Sequence, residues 1–259
     1  MLYDFSFDNN ALSSEEQKEE IHKLRETLFV QQQLIKTAKL PVLVLIEGWG
    51  AAGKGSVIGK VISSIDPRSF RVSKVGAPTE EDQRKPFLWR HFVNIPEAGN
   101  FLFLDSGWMK EMVQMRLFDC CDNREYATKI QAINTFERQL VDNGYLLLKL
   151  FFHIDKKEQK KRIDKLLKNK DTAWRVSAYD QWQVNHYQEC LSCFDDYLHQ
   201  TNTPDAPWHI IDGTNKKYAE YQMLSILTSE IDKAVKAKKE NKPRPIIQKD
   251  YPLEPMPLL

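Results

Sequence analysis

The sequence predicts an α/β protein whose core is a parallel sheet of about five strands. Two observations carry that expectation. Short apolar runs alternate with stretches of helical period, in a strand–helix–strand rhythm. The informative polar motifs then fall at the carboxyl ends of the apolar runs, which is where open α/β sheets bind ligands.

The elements follow in order. Residues 13–37 open with Ser13, Ser14, Glu15 and Glu16 and carry Ile21, Leu24, Leu28 and Ile35 at helical spacing, so a capped amphipathic helix is expected. PVLVLI at 41–46 is short, apolar and β-branched, as a buried parallel strand should be. A helix is expected over 54–65, then a strand at FRVSKV, 70–75, with Pro67 keeping the connection short. TEEDQRKPFLWRHF is helical in composition but carries Pro86, which suits a first helical turn, so a helix is expected from Pro86. FLFLD (101–105) and YLLLKLFFHI (145–154) read as strands with a helix near 125–142 between them. WHIID (208–212) is the last strand, and a helix near 216–237 follows it. The division expected is a helical extension over 1–40, a main domain over 41–237 with a lid near 156–180, and a basic, proline-rich tail or linker over 238–259.

Composition narrows the function classes. The 259 residues are 42% hydrophobic and 28% charged, ordinary for a globular protein. Lys and Arg number 37 against 36 Asp and Glu, a net charge of +1, so no global footprint for nucleic acid exists. The apolar runs are too short to span a bilayer. MLYDFSFDNN lacks a basic-then-apolar leader pattern, and a reducing, cytoplasmic setting is expected. Cys120 and Cys121 are adjacent, and Cys190 and Cys193 lie one helical turn apart in QECLSCFDDY. A four-thiolate zinc site needs two spaced pairs, so reduced, partly buried thiols are expected instead.

EGWGAAGKGS (47–56) follows the first strand and opens a helix. Gly48, Gly53 and Gly55 let backbone N–H groups approach phosphate oxygens, and the helix dipole adds positive potential. Lys54 can reach a terminal phosphate, which makes GxxxxGK in this context a phosphate loop. The hydroxyl of Ser56 comes one place later than the usual Ser or Thr. Asp105 ends the third strand, where such proteins hold an acid near magnesium, although it could instead cap the next helix. KKEQKKRIDKLLKNK (156–170) carries eight Lys and Arg against two acids after the fourth strand. It reads either as a solvated helix face or as a lid over phosphates.

EGWGAAGKGS, APTEEDQRKPFLWRHF, FLFLDSGWM, INTFERQLVDNGYLLLKLFFHIDKKEQ, WRVSAYD and TNTPDAPWHIIDG, in this order, resemble the motifs of the polyphosphate kinase 2 family. The resemblance covers residues 15–237 or so. It implies a three-layer, nucleotide-kinase-like phosphate-loop fold with a helical lid. It also implies phosphoryl transfer between inorganic polyphosphate and a nucleotide (AMP/ADP or GMP/GDP) with Mg2+. By motif, Lys54 would grip phosphate and Asp105 would help hold the metal. Arg90, Arg116, Asn134 and Glu137 would line the cleft. Lys160, Lys161, Arg162 and Lys165 would track the polyphosphate chain. A homo-oligomer or a fused second domain is implied too, with no nucleic-acid or membrane partner.

Three positions depart from the family pattern. Gly50 stands where the loop usually carries aspartate, Ser106 where arginine follows the third-strand aspartate, and Gln83 where PTEEER-like stretches carry arginine. Phosphoryl transfer rests on positioning and charge neutralisation, so the expectation is a loop that holds phosphate but transfers it slowly. Restoring Gly50→Asp together with Ser106→Arg is expected to raise the rate. A non-catalytic phosphate-binding or assembly domain, and another ATP-using phosphate-loop kinase, are the other readings.

Overall fold

The computed structural model describes residues 1–7 and 13–240. Five parallel strands, β1 (Val42–Gly48), β2 (Phe70–Ser73), β3 (Phe101–Asp105), β4 (Leu146–His153) and β5 (Trp208–Asp212), form one sheet in the order β2-β3-β1-β4-β5. Central β1 is wholly apolar until Glu47, and Val42 to Ile46 are at most 1% exposed, since both faces of a parallel sheet are covered. Its neighbours lie on opposite sides because the chain runs out through β2 and β3, then crosses back to β4 and β5. The loop after β1 therefore sits at the switch point of the topology. In register, Ile46 faces Asp105 on one side, and Gly48 faces Phe152 on the other.

Helices cover both faces. α1 (Ser14–Ala38) begins with the expected capping box of Ser13 and Glu16. It packs on α11 (Lys216–Glu240), which also contacts α2 (Lys54–Ile62). Leu28 and Ile35 of α1 are fully buried in the continuous core, and Gln31 donates to the Thr228 carbonyl across the pair at 2.9 Å. On the other face lie α5 (Trp108–Leu117), α6 (Asn123–Asp142) and α10 (Tyr187–Thr201). The leading residues belong to the same body: Leu2 is buried, and the terminal ammonium pairs with Asp195 of α10 at 2.9 Å.

The helix expected from Pro86 is shorter than its composition suggested. Two four-residue turns occupy the segment, α3 (Glu80–Gln83), with a capping box from Thr79 and Asp82, and α4 (Trp89–Phe92). Pro86 can start a turn but gives no amide to bind the turn before it, so α3 and α4 cannot join. The lid region resolves into α7 (Lys156–Lys168), α8 (Lys170–Ala173) and α9 (Ala178–Asn185). Among the described residues no helix is long and apolar enough to cross a membrane. The tail expected from residue 238 lies, beyond Glu240, outside the described residues.

Candidate active site

The loop after β1 is fixed from below. Gly48 has φ +133°, and a β-carbon there would lie 2.3 Å from the Phe152 carbonyl oxygen of β4, so only glycine fits. Trp49 turns inward and is fully buried, stacked on Tyr187 with ring centres 4.1 Å apart. Its Nε1 donates to His153 Nδ1 at 2.9 Å. That bond needs a neutral imidazole, and burial lowers the His153 pKa to about 4. The large ring thus anchors the loop without filling its mouth.

Above this anchor the backbone turns through Ala51 (φ 60°) and Gly53 (φ 96°) into α2. Gly53 offers no side-chain cap, so the first-turn amides of Lys54, Gly55 and Ser56 have no partner within the helix. Gly55 and Ser56 are exposed, and nothing lies within 4 Å of where a β-carbon on Gly55 would stand. Donors converging at a positive helix end make a seat for a phosphate. Lys54 folds back, its Nζ 3.0 Å from the Gly48 carbonyl and 2.9 Å from that of Trp49. Burial lowers its pKa, while the carboxylates of Asp105, Glu47 and Asp180 oppose the shift.

Two acids flank the lysine at the carboxyl ends of β1 and β3. Asp105 is half-buried, and among the described residues no hydrogen bond holds its carboxylate. Glu47 is 4% exposed and accepts from the Gly107 amide at 2.8 Å. Burial pushes its pKa up to about 7 against the help of that bond and of Lys54. A hard divalent ion takes one or two carboxylates plus phosphate oxygens and water, and the open Asp105 carboxylate meets that requirement. Glu47 was legible, being the one acid in an otherwise apolar strand, yet sequence reasoning gave it no role.

The helices after β4 pack onto the loop. Arg162 of α7 donates to the carbonyls of Ala51 (3.3 Å), Ala52 (3.0 Å), Gly213 (2.8 Å) and Thr214 (2.7 Å). Gln183 of α9 accepts from the Gly50 amide at 3.1 Å. Asp180 of α9 explains Gly50: a β-carbon on Gly50 would lie 2.2 Å from Asp180 Oδ1. The space at position 50 is therefore taken by a carboxylate from another element, while Oδ2 of that group caps α9 at Ser177. WRVSAYD contains Asp180, but nothing in the sequence places it against residue 50.

Other expected site residues divide. Gly48, Gly53, Gly55, Ser56, Lys54, Asp105 and Arg162 come together at the loop. Arg90 pairs with Glu111 of α5 and donates to the Gly76 carbonyl at 3.0 Å, which keeps it at the carboxyl ends of β2 and β3. Arg116 lies over the Tyr126 ring, 4.0 Å from Asp196. Asn134 donates to the Gln200 carbonyl at 3.0 Å. Glu137, expected to line the cleft, is instead 1% exposed and ion-paired with buried Lys149 at 2.6 Å. Lys149 sits in mid-strand within the core, and its charge draws Glu137 inward. Lys160 and Lys165 are exposed on α7, and Lys161 pairs with Glu158 at 3.0 Å. The four cysteines are free thiols, and no cluster of metal-binding side chains occurs among the described residues. Burial pushes the Cys190 thiol up to about 12, so it stays protonated.

A glycine loop joining the central strand of a parallel sheet to a helix, with its lysine among acids, defines an α/β phosphate-loop protein. Residues 11–239 match the family model described as polyphosphate kinase 2, and the chain belongs to that family. It is 27% identical over 212 residues to the ADP-polyphosphate phosphotransferase 3 of Rhizobium meliloti, covering 82% of this chain and 75% of that one. It is 28% identical over 237 residues to the polyphosphate:AMP phosphotransferase of Pseudomonas aeruginosa, covering 91% of this chain but only 48% of that relative. Its fold matches the crystal structure of polyphosphate kinase 2 from Arthrobacter aurescens with a TM-score of 0.85 at 24% identity, over 90% of this chain and 85% of that one.

Proposed function

We propose that the chain is a polyphosphate-dependent nucleotide phosphotransferase, moving a phosphoryl group between inorganic polyphosphate and a nucleoside mono- or diphosphate with Mg2+. One observation carries the reading: the unpartnered first-turn amides of α2 and the Lys54 ammonium meet at the end of β1, beside an Asp105 carboxylate with no hydrogen bond among the described residues. Membership of the family and the names of its relatives support the same chemistry.

In this reading the loop amides cradle phosphate oxygens, and Lys54 leaves the Gly48 and Trp49 carbonyls to face the transferred group. Asp105 would hold Mg2+, which would supply charge neutralisation to the phosphate groups when bound. Glu47 fixes the start of α5 through the Gly107 amide and so holds the turn after Asp105. Arg90, at the carboxyl ends of β2 and β3, is the cation for the acceptor side. The lid helices exclude water by closing on the loop through Arg162, Gln183 and Asp180. Because Asp180 fills the place left by Gly50, that position keeps a carboxylate, which favours a working enzyme over a binding domain.

A coupled assay with polyphosphate and AMP, ADP, GMP or GDP tests the reading. Turnover is expected with at least one nucleotide. A single preorganised group is worth on the order of a hundredfold or more in rate, and Lys54→Ala should lose at least that. Phosphate binding without turnover by any nucleotide would leave the chain a binding domain.

A further inference from the structure

The basic run of α7 is not the best-formed seat for a polyanion. Its one half-buried cation, Arg162, is held by four backbone carbonyls and by Glu158 at 2.8 Å. Its lysines point outward into solvent, where an isolated charge contributes little. A second group of cations lies in a concavity between α1, α2 and α11.

This cavity, of about 520 Å³, is lined by Lys18 and Arg25 of α1, Lys60 of α2, and Lys216 and Lys217 of α11. The one acid among its lining residues is Glu220, 2% exposed. Its carboxylate bridges Arg25 at 2.5 Å and Lys60 at 2.9 Å, holding two cations from different helices in fixed positions. The buried Nε of Arg25 has no hydrogen-bond partner. Lys216 has no ion-pair or hydrogen-bond partner among the described residues, and Lys217 donates to the Ser14 carbonyl and hydroxyl. Five cations line this concave wall around one buried glutamate, and at the rim Lys18 also pairs with Glu15 at 2.7 Å. A polyanion is the ligand that such a wall suits.

The groove is continuous with the phosphate seat. Lys216 Cε lies 3.7 Å from where a β-carbon on Gly53 would stand, at the rim of the loop. Lys60 is six residues along α2 from Lys54, about 9 Å by helix rise. A chain with its end on the α2 amides can therefore run into the groove without passing under the lid. We propose that the groove between α1, α2 and α11 holds the distal part of the inorganic polyphosphate chain, and that α7 serves as a clamp on the loop. The proposal rests on the phosphotransferase reading of the loop.

The test measures binding of tripolyphosphate and of long-chain polyphosphate to the full chain by calorimetry. Three variants are compared with the wild type: Lys18→Glu/Lys217→Glu in the groove, Lys160→Glu/Lys165→Glu on α7, and Lys54→Ala in the loop. Melting temperatures confirm that each is folded. The groove variant should lose on the order of tenfold in long-chain affinity and show a shallower salt dependence, because reversed charges are felt within a Debye length. Its tripolyphosphate affinity should be unchanged, since so short a chain stays at the loop. The α7 variant should bind both as the wild type does. The proposal is overturned if the groove variant binds long chains normally, if it loses both ligands equally, or if only the α7 variant loses the long chain. Should the wild type bind neither ligand, the reading of the loop fails and the groove proposal with it. Lys54→Ala should lose affinity for both ligands, and if it binds both as the wild type does, the reading of the loop fails and the groove proposal with it.

Discussion

Asp180 Oδ1 stands 2.2 Å from the point that a β-carbon on Gly50 would occupy. The absent aspartate of the loop is thus not a vacancy to be refilled. Gly50→Asp would press a second carboxylate against the first, and two like charges at about 4 Å repel by roughly 4 kcal/mol at an effective dielectric of about 20. The variant is expected to lift α9, lower the melting temperature and cut transfer on the order of tenfold, the opposite of the gain that the family pattern suggests. Adding Asp180→Ala should recover part of the rate. Steady-state kinetics on the single and double variants decides between the two. Ser106 differs in this respect, since its φ of 68° costs serine and arginine alike and the backbone does not tell against Ser106→Arg. His153 gives a second test at this scale. Its pKa is lowered from 6.5 to about 4 by burial, so the folded protein binds fewer protons than the unfolded chain between those values. Stability is therefore full above about pH 6.5 and falls as the pH drops towards 4. His153→Gln keeps an acceptor for Trp49 without titrating. Between pH 7 and 5 its melting temperature should fall less than that of the wild type.

Helix α7 shows how one element can be basic for two reasons. Most of its cations keep the outer face solvated, but Arg162 reaches across to four carbonyls on two separate connections. Carbonyls on different connections suit a planar fork of donors, and lysine offers only a single ammonium centre. Arg162→Ala is expected to cost about 2 kcal/mol of stability, the scale of lost charge-assisted hydrogen bonds, and to weaken phosphate binding by loosening Ala51 and Ala52. Arg162→Lys should restore little of either. Urea denaturation and tripolyphosphate titration, run side by side, check both effects. A binding loss with stability unchanged would mean that Arg162 touches the ligand and does not brace the loop.

Across the whole molecule, the Lys149–Glu137 pair ties the sheet to one helical layer. Lys149 of β4 donates to Glu137 of α6 and to the Thr201 carbonyl at the end of α10, both at 2.6 Å. Glu137 also accepts from Trp108 of α5 at 3.0 Å. Burial pushes the pKa of Glu137 up and that of Lys149 down, and each charge opposes the other's shift. Lys149→Met alone should destabilise by about 3–5 kcal/mol, because Glu137 is left buried without a counter-charge. Lys149→Met with Glu137→Leu should return most of that loss in a denaturant titration. If the double variant is as unstable as the single, the pair does more than neutralise itself.

The sequence by itself determined the sheet and the phosphate loop. Four apolar runs and the alternating FRVSKV, a capping box at Ser13 and a glycine loop after the first run are local signals, and period and backbone freedom can be read one residue after another. The positions of Lys54 at the start of the helix after the loop and of Asp105 at the last place of its strand are local in the same way. Only the tertiary structure decided the rest. That Asp180 fills the space at Gly50, that Glu137 turns inward to Lys149, and that Arg162 grips Ala51 and Thr214 all depend on contacts between residues far apart in the chain. The cation groove likewise draws Lys18, Lys60 and Lys216 from three helices, none of them part of a basic run that reads as a site. Strand order and helix packing set such neighbours, and a linear pattern carries no distance between its parts.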